Sequence, residues 1–430
     1  MTVLDRPAVD PGLERPSRAG SSGALPVAVG ATVCALPFLV PAGPGNTAVA
    51  DAGIVCCIVI GLLWATRAQL RLTVPYASGV LVMMLGGAFA TVVSDAPLRT
   101  ILVLAQDMLL LAWAATIALG RHDPAVIRAA THAWCRTAVL YSAVVATAYL
   151  IGFAPLSGVT ARDGVRASYT FGDPNLAGNY LVVSLFVMAA ARRPRSGPVR
   201  WLGYTVVLVA IAFTGSNGAV LTLLLGTLLC FPIARYRRDG PRSGILALVM
   251  SALLGVLVVT VVFPRVDLDQ LRSRAAGSVP LLRDSIGRSG GSTSERARIL
   301  DEGYHLYLAG DGTGFGPSRT KTALEQHQAA YVKEAHNDYL ATLLERGVLG
   351  AIGLILLGFA VGYRCVRLLV DPVPKTLAKA LPRAWLLAVL LPVMIVAGSF
   401  YEVLHFRHLW TWLGLVAAVV LLAQDEREST

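Results

Sequence analysis

Charge is what this sequence has least of. Only 15% of its residues are charged and 55% are apolar, whereas a soluble domain carries about a quarter charged residues. That balance excludes a chain organised around a single core in water. Lysine is nearly missing, four against 33 arginines; the skew reads as the coding bias of a GC-rich genome and says little about chemistry. Cysteine is scarce as well. All six (Cys34, Cys56, Cys57, Cys135, Cys230, Cys365) lie in or beside apolar runs. No disulfide framework or zinc spacing follows, and they read as small apolar packing residues. The first residues lack an apolar stretch followed by a small-residue cleavage site. Residues 1–24, with Arg6, Pro7, Pro11, Arg15, Pro16 and Arg18, therefore read as a disordered cytoplasmic tail and not a signal peptide. There is no internal repeat at a fixed period.

Long apolar runs fill the chain instead. About 20 helical residues cross the hydrocarbon of a bilayer. Runs of that kind fall near 25–42, 47–66, 75–95, 98–119, 128–152, 176–192, 200–215, 217–234, 243–263, 347–369, 384–401 and 405–423. The net charge of +11 would suggest nucleic acid in a soluble protein. Here the arginines mostly flank apolar runs, where positive charge sets topology, so no nucleic-acid partner is expected. One set of loops holds Arg67, Arg71, Arg121, Arg192, Arg193, Arg195, Arg235, Arg237, Arg238, Arg364, Arg367, Lys375, Lys379 and Arg383. The intervening short loops, such as 43–46 and 96–97, hold no positive charge. By the positive-inside rule the basic set is cytoplasmic and both termini lie inside, which an even number of spans satisfies.

The expected fold is an all-α polytopic protein of the inner (plasma) membrane, with about twelve transmembrane helices and one large extracytoplasmic loop. The expected divisions are a tail at 1–24, nine helices across 25–263, the loop at 264–346, three helices across 347–423 and a cytoplasmic tail at 424–430.

That orientation gathers polar residues on the outer face. Segment 153–175 holds Arg162, Arg166, Asp173 and Asn175. The larger loop holds Arg296, Arg298, the run Gly312–Gly316 with Gly314 at its centre, Arg319, Glu334, His336 and Asn337. An enzyme acting there on a lipid-linked diphosphate needs such parts. Arginine donates bidentate hydrogen bonds to phosphate and stays charged. Histidine can take the proton of an attacking hydroxyl near neutral pH, and glycines let backbone approach a large ligand. Each part also has a plainer reading. A lone histidine is more often a surface residue, and arginines near a membrane often pair with head groups. The glycine run lacks the strand-before, helix-after context of a nucleotide loop. Asp267 and Asp269 match the Asp-x-Asp pattern of nucleotide-sugar enzymes, but nucleotide sugars are cytosolic and this loop is outside. Asp107 sits mid-span, where a charge costs about 2.5–3.5 kcal/mol.

The run His336-Asn337, nine residues, then Gly347-x-x-Gly350 resembles the signature of the O-antigen ligase/O-antigen polymerase superfamily of bacterial membrane glycosyltransferases. Phe171, Pro174 and Asn175 before a span, an arginine ahead of the glycine run, and Arg407 with Trp410 opening the last span are similar too. One position departs: the family commonly has Ser-Arg-Gly at a turn between central spans, and here it is Ser216-Asn217-Gly218. Arg162 or Arg166 would have to compensate. The resemblance implies a glycan donor on a polyprenyl diphosphate, undecaprenyl by preference. It implies transfer to a saccharide, lipid or protein acceptor without metal or nucleotide, and inversion at the anomeric carbon. It implies His336 as catalytic base, Arg166 and Arg296 or Arg298 on the diphosphate, and Gly314 and Gly316 close to substrate. Asn337 or Glu334 would orient His336. Ligase and polymerase share the motif and stay open. A transporter of lipid-linked saccharide or exported polysaccharide is the alternative of a different class, although such proteins place polar groups at the midplane. A non-catalytic assembly partner is a third reading, because of Asn217.

Overall fold

The computed structural model describes residues 23–40, 47–160, 165–257, 260, 289–329, 332 and 335–429. Arg162, Glu334, Asp267, Asp269 and residues 1–22 of the tail lie outside the described residues.

Every regular element among the described residues is helical. In chain order these are α1 Ala24–Ala35, α2 Val49–Arg67, α3 Ala77–Val92, α4 Pro97–Ala118, α5 Pro124–Leu150, α6 Ala154–Ser157, α7 Pro174–Ala191 and α8 Gly197–Thr214. Then come α9 Asn217–Asp239, α10 Pro241–Leu257, α11 Ser289–Ala309, α12 Thr320–Gln326, α13 Asp338–Val370, α14 Leu386–Gly398 and α15 Arg407–Glu428. Each of the twelve apolar runs falls on a helix.

Among the described residues seven helices, α2, α4, α7, α8, α9, α13 and α15, are long and apolar enough to cross a membrane; α1, α3, α10 and α14 are apolar but shorter. The shortening has local causes. The run beginning at 25 stops being helical at Ala35, because Pro37 has no N–H to continue the hydrogen-bond ladder. Its 12 residues span about 18 Å at 1.5 Å each, less than the roughly 30 Å of hydrocarbon. Helix α5 has 27 residues, but its first half carries Arg128, His132 and Arg136. Helix starts follow their chemistry: Asp123 and Asp173 accept hydrogen bonds from first-turn amides of α5 and α7, each ahead of a proline at the first helical position, the expected N-terminal arrangement.

Helices α7 and α15 form the centre and are buried around almost their whole circumference. A helix apolar on every side belongs in such a position. Around them α8, α9, α10 and α13 turn leucine, isoleucine, valine and phenylalanine side chains outward, Leu224, Leu246, Leu253 and Phe359 among them. An apolar surface of that extent suits lipid and not water.

Several polar side chains at the centre are paired. Arg407 donates to Asp51 through Nε at 2.7 Å and Nη2 at 2.6 Å. Trp113 donates to Thr411 at 2.9 Å, Trp134 to Ser184 at 2.9 Å, and His408 lies 2.8 Å from Asn179 Oδ1.

Helices α3 and α13 cross at backbone contact. A Cβ on Gly353 would stand 2.4 Å from Met83 N, and one on Gly79 would stand 2.5 Å from Leu357 N. Small residues permit this approach, the usual device of helix pairs in lipid.

Candidate functional site

The His-Asn-x9-Gly-x-x-Gly run turns out to be largely architectural. Asn337 is the N-cap of α13: its Oδ1 accepts from Tyr339 N at 2.9 Å and Leu340 N at 3.0 Å. Its Nδ2 donates to Ser399 O at 3.3 Å, and the residue is buried. Gly347 interrupts α13 with φ 63° and ψ −161°, a region essentially reserved for glycine. Gly350 packs where α13 meets α3, its amide near enough to Gly86 that a Cβ there would stand 2.7 Å away.

The glycine run is strapped onto that break. Phe315 N donates to Leu344 O at 2.8 Å, Gly316 N to Glu345 O at 3.0 Å, and Val348 N to Gly312 O at 3.0 Å. These bonds satisfy backbone groups that the break would leave orphaned. Gly314 has φ 91°, and a Cβ on it would lie 2.6 Å from Gly347 N. Asp311 opens the strap, its Oδ1 accepting from Thr313 N and Oγ1; those bonds hold its carboxyl below the usual carboxylate range. Glu345 ties down the far end, accepting from Ser318 N at 2.7 Å and Thr320 Oγ1 at 2.8 Å. Gly314 therefore faces the backbone of the break, and Gly316 faces the side chains of Thr100 and Ser94. Beneath the strap, Ile299, Leu306, Leu324 and Leu344 form a small separate core that fixes α11 and α12 on the first turns of α13.

His336 is the member of the run that stands out. It is exposed, with φ 46°, a left-handed backbone that a non-glycine residue adopts only where its surroundings impose it. The surroundings are the segment 399–405 between α14 and α15. His336 N donates to Glu402 Oε1 at 3.2 Å. Asp338 accepts from Val403 N at 2.9 Å and Leu404 N at 3.3 Å. With the Asn337–Ser399 bond, these stitch the two segments together on both sides of His336.

One of the predicted arginines arrives at the same segment, and another at the turn beside it. The Arg296 guanidinium lies over the Phe400 ring at 5.5 Å and the Tyr401 ring at 5.9 Å, within cation–π range. Arg166 donates through Nε to Thr214 O at 3.0 Å and through Nη2 to Asn175 Oδ1 at 2.7 Å. Its guanidinium thus sits where the Ser216–Gly218 turn begins. Ser216 Oγ lies 3.0 Å from the Tyr401 hydroxyl. Gly218 is glycine for a steric reason: a Cβ would fall 1.9 Å from Tyr401 Oη. Asn217 is exposed. Arg298 is on the exposed face of α11, away from this corner. Arg319 is buried and paired with Asp95 on the α3–α4 side.

Beside Glu402 opens a groove of about 940 Å³ between the first half of α4 and the 402–407 segment. A smaller polar chamber shares Glu345, Glu402 and His405 with it. In its floor Asp107 meets Arg346 at 2.7 Å, both nearly buried, with His405 Nδ1 3.9 Å from the same carboxylate. The mid-span charge at Asp107 is therefore half of an ion pair. Glu402, His405, Tyr401 and Arg346 escape a reading built on motif spacing. A signal was present for Glu402 and its flanking Tyr401 and His405: the alternation of charge assigns the loop after the eleventh apolar run to the same face as His336.

None of the curated proteins compared with the chain matches it. The family model described as O-antigen ligase matches residues 202–355. That stretch runs from α8 to the middle of α13 and contains the Ser216 turn, Arg296, the glycine strap, His336 and the Gly347 break. The O-antigen ligase match thus covers residues 202–355 of a membrane protein in which, among the described residues, seven helices are long and apolar enough to cross a bilayer.

Proposed function

We propose that the protein is a membrane glycosyltransferase that moves a glycan from a polyprenyl (undecaprenyl) diphosphate carrier to an acceptor hydroxyl on the outer face, as a surface-polysaccharide ligase or polymerase. One observation carries the reading. His336 and Arg296 meet the 399–405 segment, and Arg166 sits at the start of the Ser216 turn, whose hydroxyl lies against Tyr401 of that segment, inside or beside a domain of matching family.

In this scheme the His336 imidazole takes the proton of the acceptor hydroxyl as its oxygen attacks the anomeric carbon. The bond from that carbon to the diphosphate oxygen breaks on the opposite face, so the configuration inverts. Charge grows on the departing diphosphate, where Arg166 and Arg296 stand to meet it. A diphosphate is already a good leaving group, so positioning and charge stabilisation are the main demands on the protein, and the scheme needs neither metal nor nucleotide. Arg166, lying at the Ser216 turn, supplies there the cation that Asn217 does not. Arg296 takes the role left open between itself and Arg298. Asn337 acts as a positioning residue through its cap, and Gly314 and Gly316 hold the strap and not the phosphate. Twelve crossings with both termini cytoplasmic would put this corner where a flipped lipid-linked glycan arrives.

Reconstitution with lipid-linked repeats tests the reading. Laddering without an added acceptor marks a polymerase, and transfer only to a second acceptor marks a ligase. Movement of the lipid-linked glycan across the vesicle membrane with no new glycosidic bond would replace both with the transporter reading.

A further inference from the structure

The groove beside Glu402 has no part in the donor scheme, and its chemistry differs from the arginine corner. Its lining includes none of Arg166, Arg296 and Tyr401, so groove and corner are built from different residues. At about 940 Å³ it lies in the range of roughly 300–1,000 Å³ typical of small-molecule sites. Two carboxylates, Glu345 and Glu402, line it together with the donors Arg99 and Gln106, the His405 ring and the apolar face of Phe406. Arg407, its other cation, is already neutralised by Asp51. A diphosphate would meet two carboxylates here. A sugar would meet what it needs: acceptors and donors for hydroxyls, and an aromatic edge for the apolar side of a ring. The groove also reaches Glu402, the residue that holds the His336 amide.

We propose that this groove is the acceptor subsite and takes an uncharged, hydroxyl-rich saccharide, presenting one hydroxyl past Glu402 to His336. The proposal rests on the glycosyltransferase reading for the word acceptor; the ligand class rests on the groove's own residues. Two carboxylates select against phosphate-bearing ligands, and Gln106 and Arg99 read hydroxyl positions.

Site-directed labelling tests it without turnover. Val103→Cys places a thiol of nearly the same volume on the groove wall. Labelling by a maleimide is followed in the full-length protein in nanodiscs, with the wild type and its own cysteines as blank. The probes are neutral oligosaccharides released from the source organism's surface polysaccharide and, separately, undecaprenyl diphosphate. The oligosaccharides should slow labelling about fivefold or more and the diphosphate should leave it within about twofold. Adding Gln106→Ala should raise the half-protecting saccharide concentration about fivefold, the equivalent of one neutral hydrogen bond. Protection by undecaprenyl diphosphate, or none by the saccharides, overturns the assignment. Because labelling needs no transfer, an inactive or histidine-independent protein would strike the functional reading and leave this one standing.

Discussion

Substituting Gly347 by alanine probes the hinge on which the site is built. At φ 63° and ψ −161° the position costs a side-chain-bearing residue about 1–3 kcal/mol. The added Cβ would also stand 2.2 Å from Gly312 O and 2.6 Å from Thr313 C. Relieving that contact means shifting the strap, at the roughly 1–3 kcal/mol typical of overpacking. Together the two effects destabilise by about 2–6 kcal/mol, and the strap's bonds to Leu344 and Glu345 are the first to loosen. Gly358 is the control, in the same helix with nothing within 4 Å of an added methyl; alanine there should be neutral or stabilising by about 0.5–1 kcal/mol. Thermal unfolding of the purified protein in one detergent compares them. Gly347→Ala should lower the apparent midpoint by about 2–7 °C while Gly358→Ala holds or raises it. If the two variants melt alike, the hinge account of the motif glycine is wrong.

Three further outcomes follow from the same geometry. Asp51→Asn leaves the buried Arg407 guanidinium without its counter-charge and should destabilise by about 3–5 kcal/mol, read as lost folded yield on size exclusion; the paired Asp51→Leu/Arg407→Met should recover much of it. Arg296→Ala removes the cation stacked on Tyr401 and should slow transfer about 100-fold, while Arg298→Ala on the exposed helix face stays within about twofold. Gly218→Ala drives a methyl into the Tyr401 hydroxyl, and transfer should fall far more than the melting midpoint does.

The apolar runs gave each major helix its place because lipid-facing helices carry their burial pattern in composition alone. Ends were less legible: α1 stops short because of Pro37, and α5 starts early because Asp123 and Pro124 make a cap. His336, Arg166 and Arg296 were readable as chemistry-bearing residues on one face. Their meeting point was not, since nothing local in Ser399–His405 announces that Asp338 and Asn337 will bind it. The glycine run shows the same limit in reverse. Five residues that read as a ligand cradle serve a helix break some thirty positions on, and only the packing of Gly314 on Gly347 distinguishes the two uses. Asp107 drew attention as an isolated charge because its partner Arg346 is far along the chain.

The central claim is that His336 does the chemistry while the rest of its motif does the positioning. The direct test is His336→Ala against the wild type in vesicles loaded with lipid-linked glycan. Because the residue is exposed, the variant should insert and melt as the wild type does, with transfer reduced about 100- to 10,000-fold, the range of a general base. Transfer at the wild-type rate from a correctly inserted variant would contradict it.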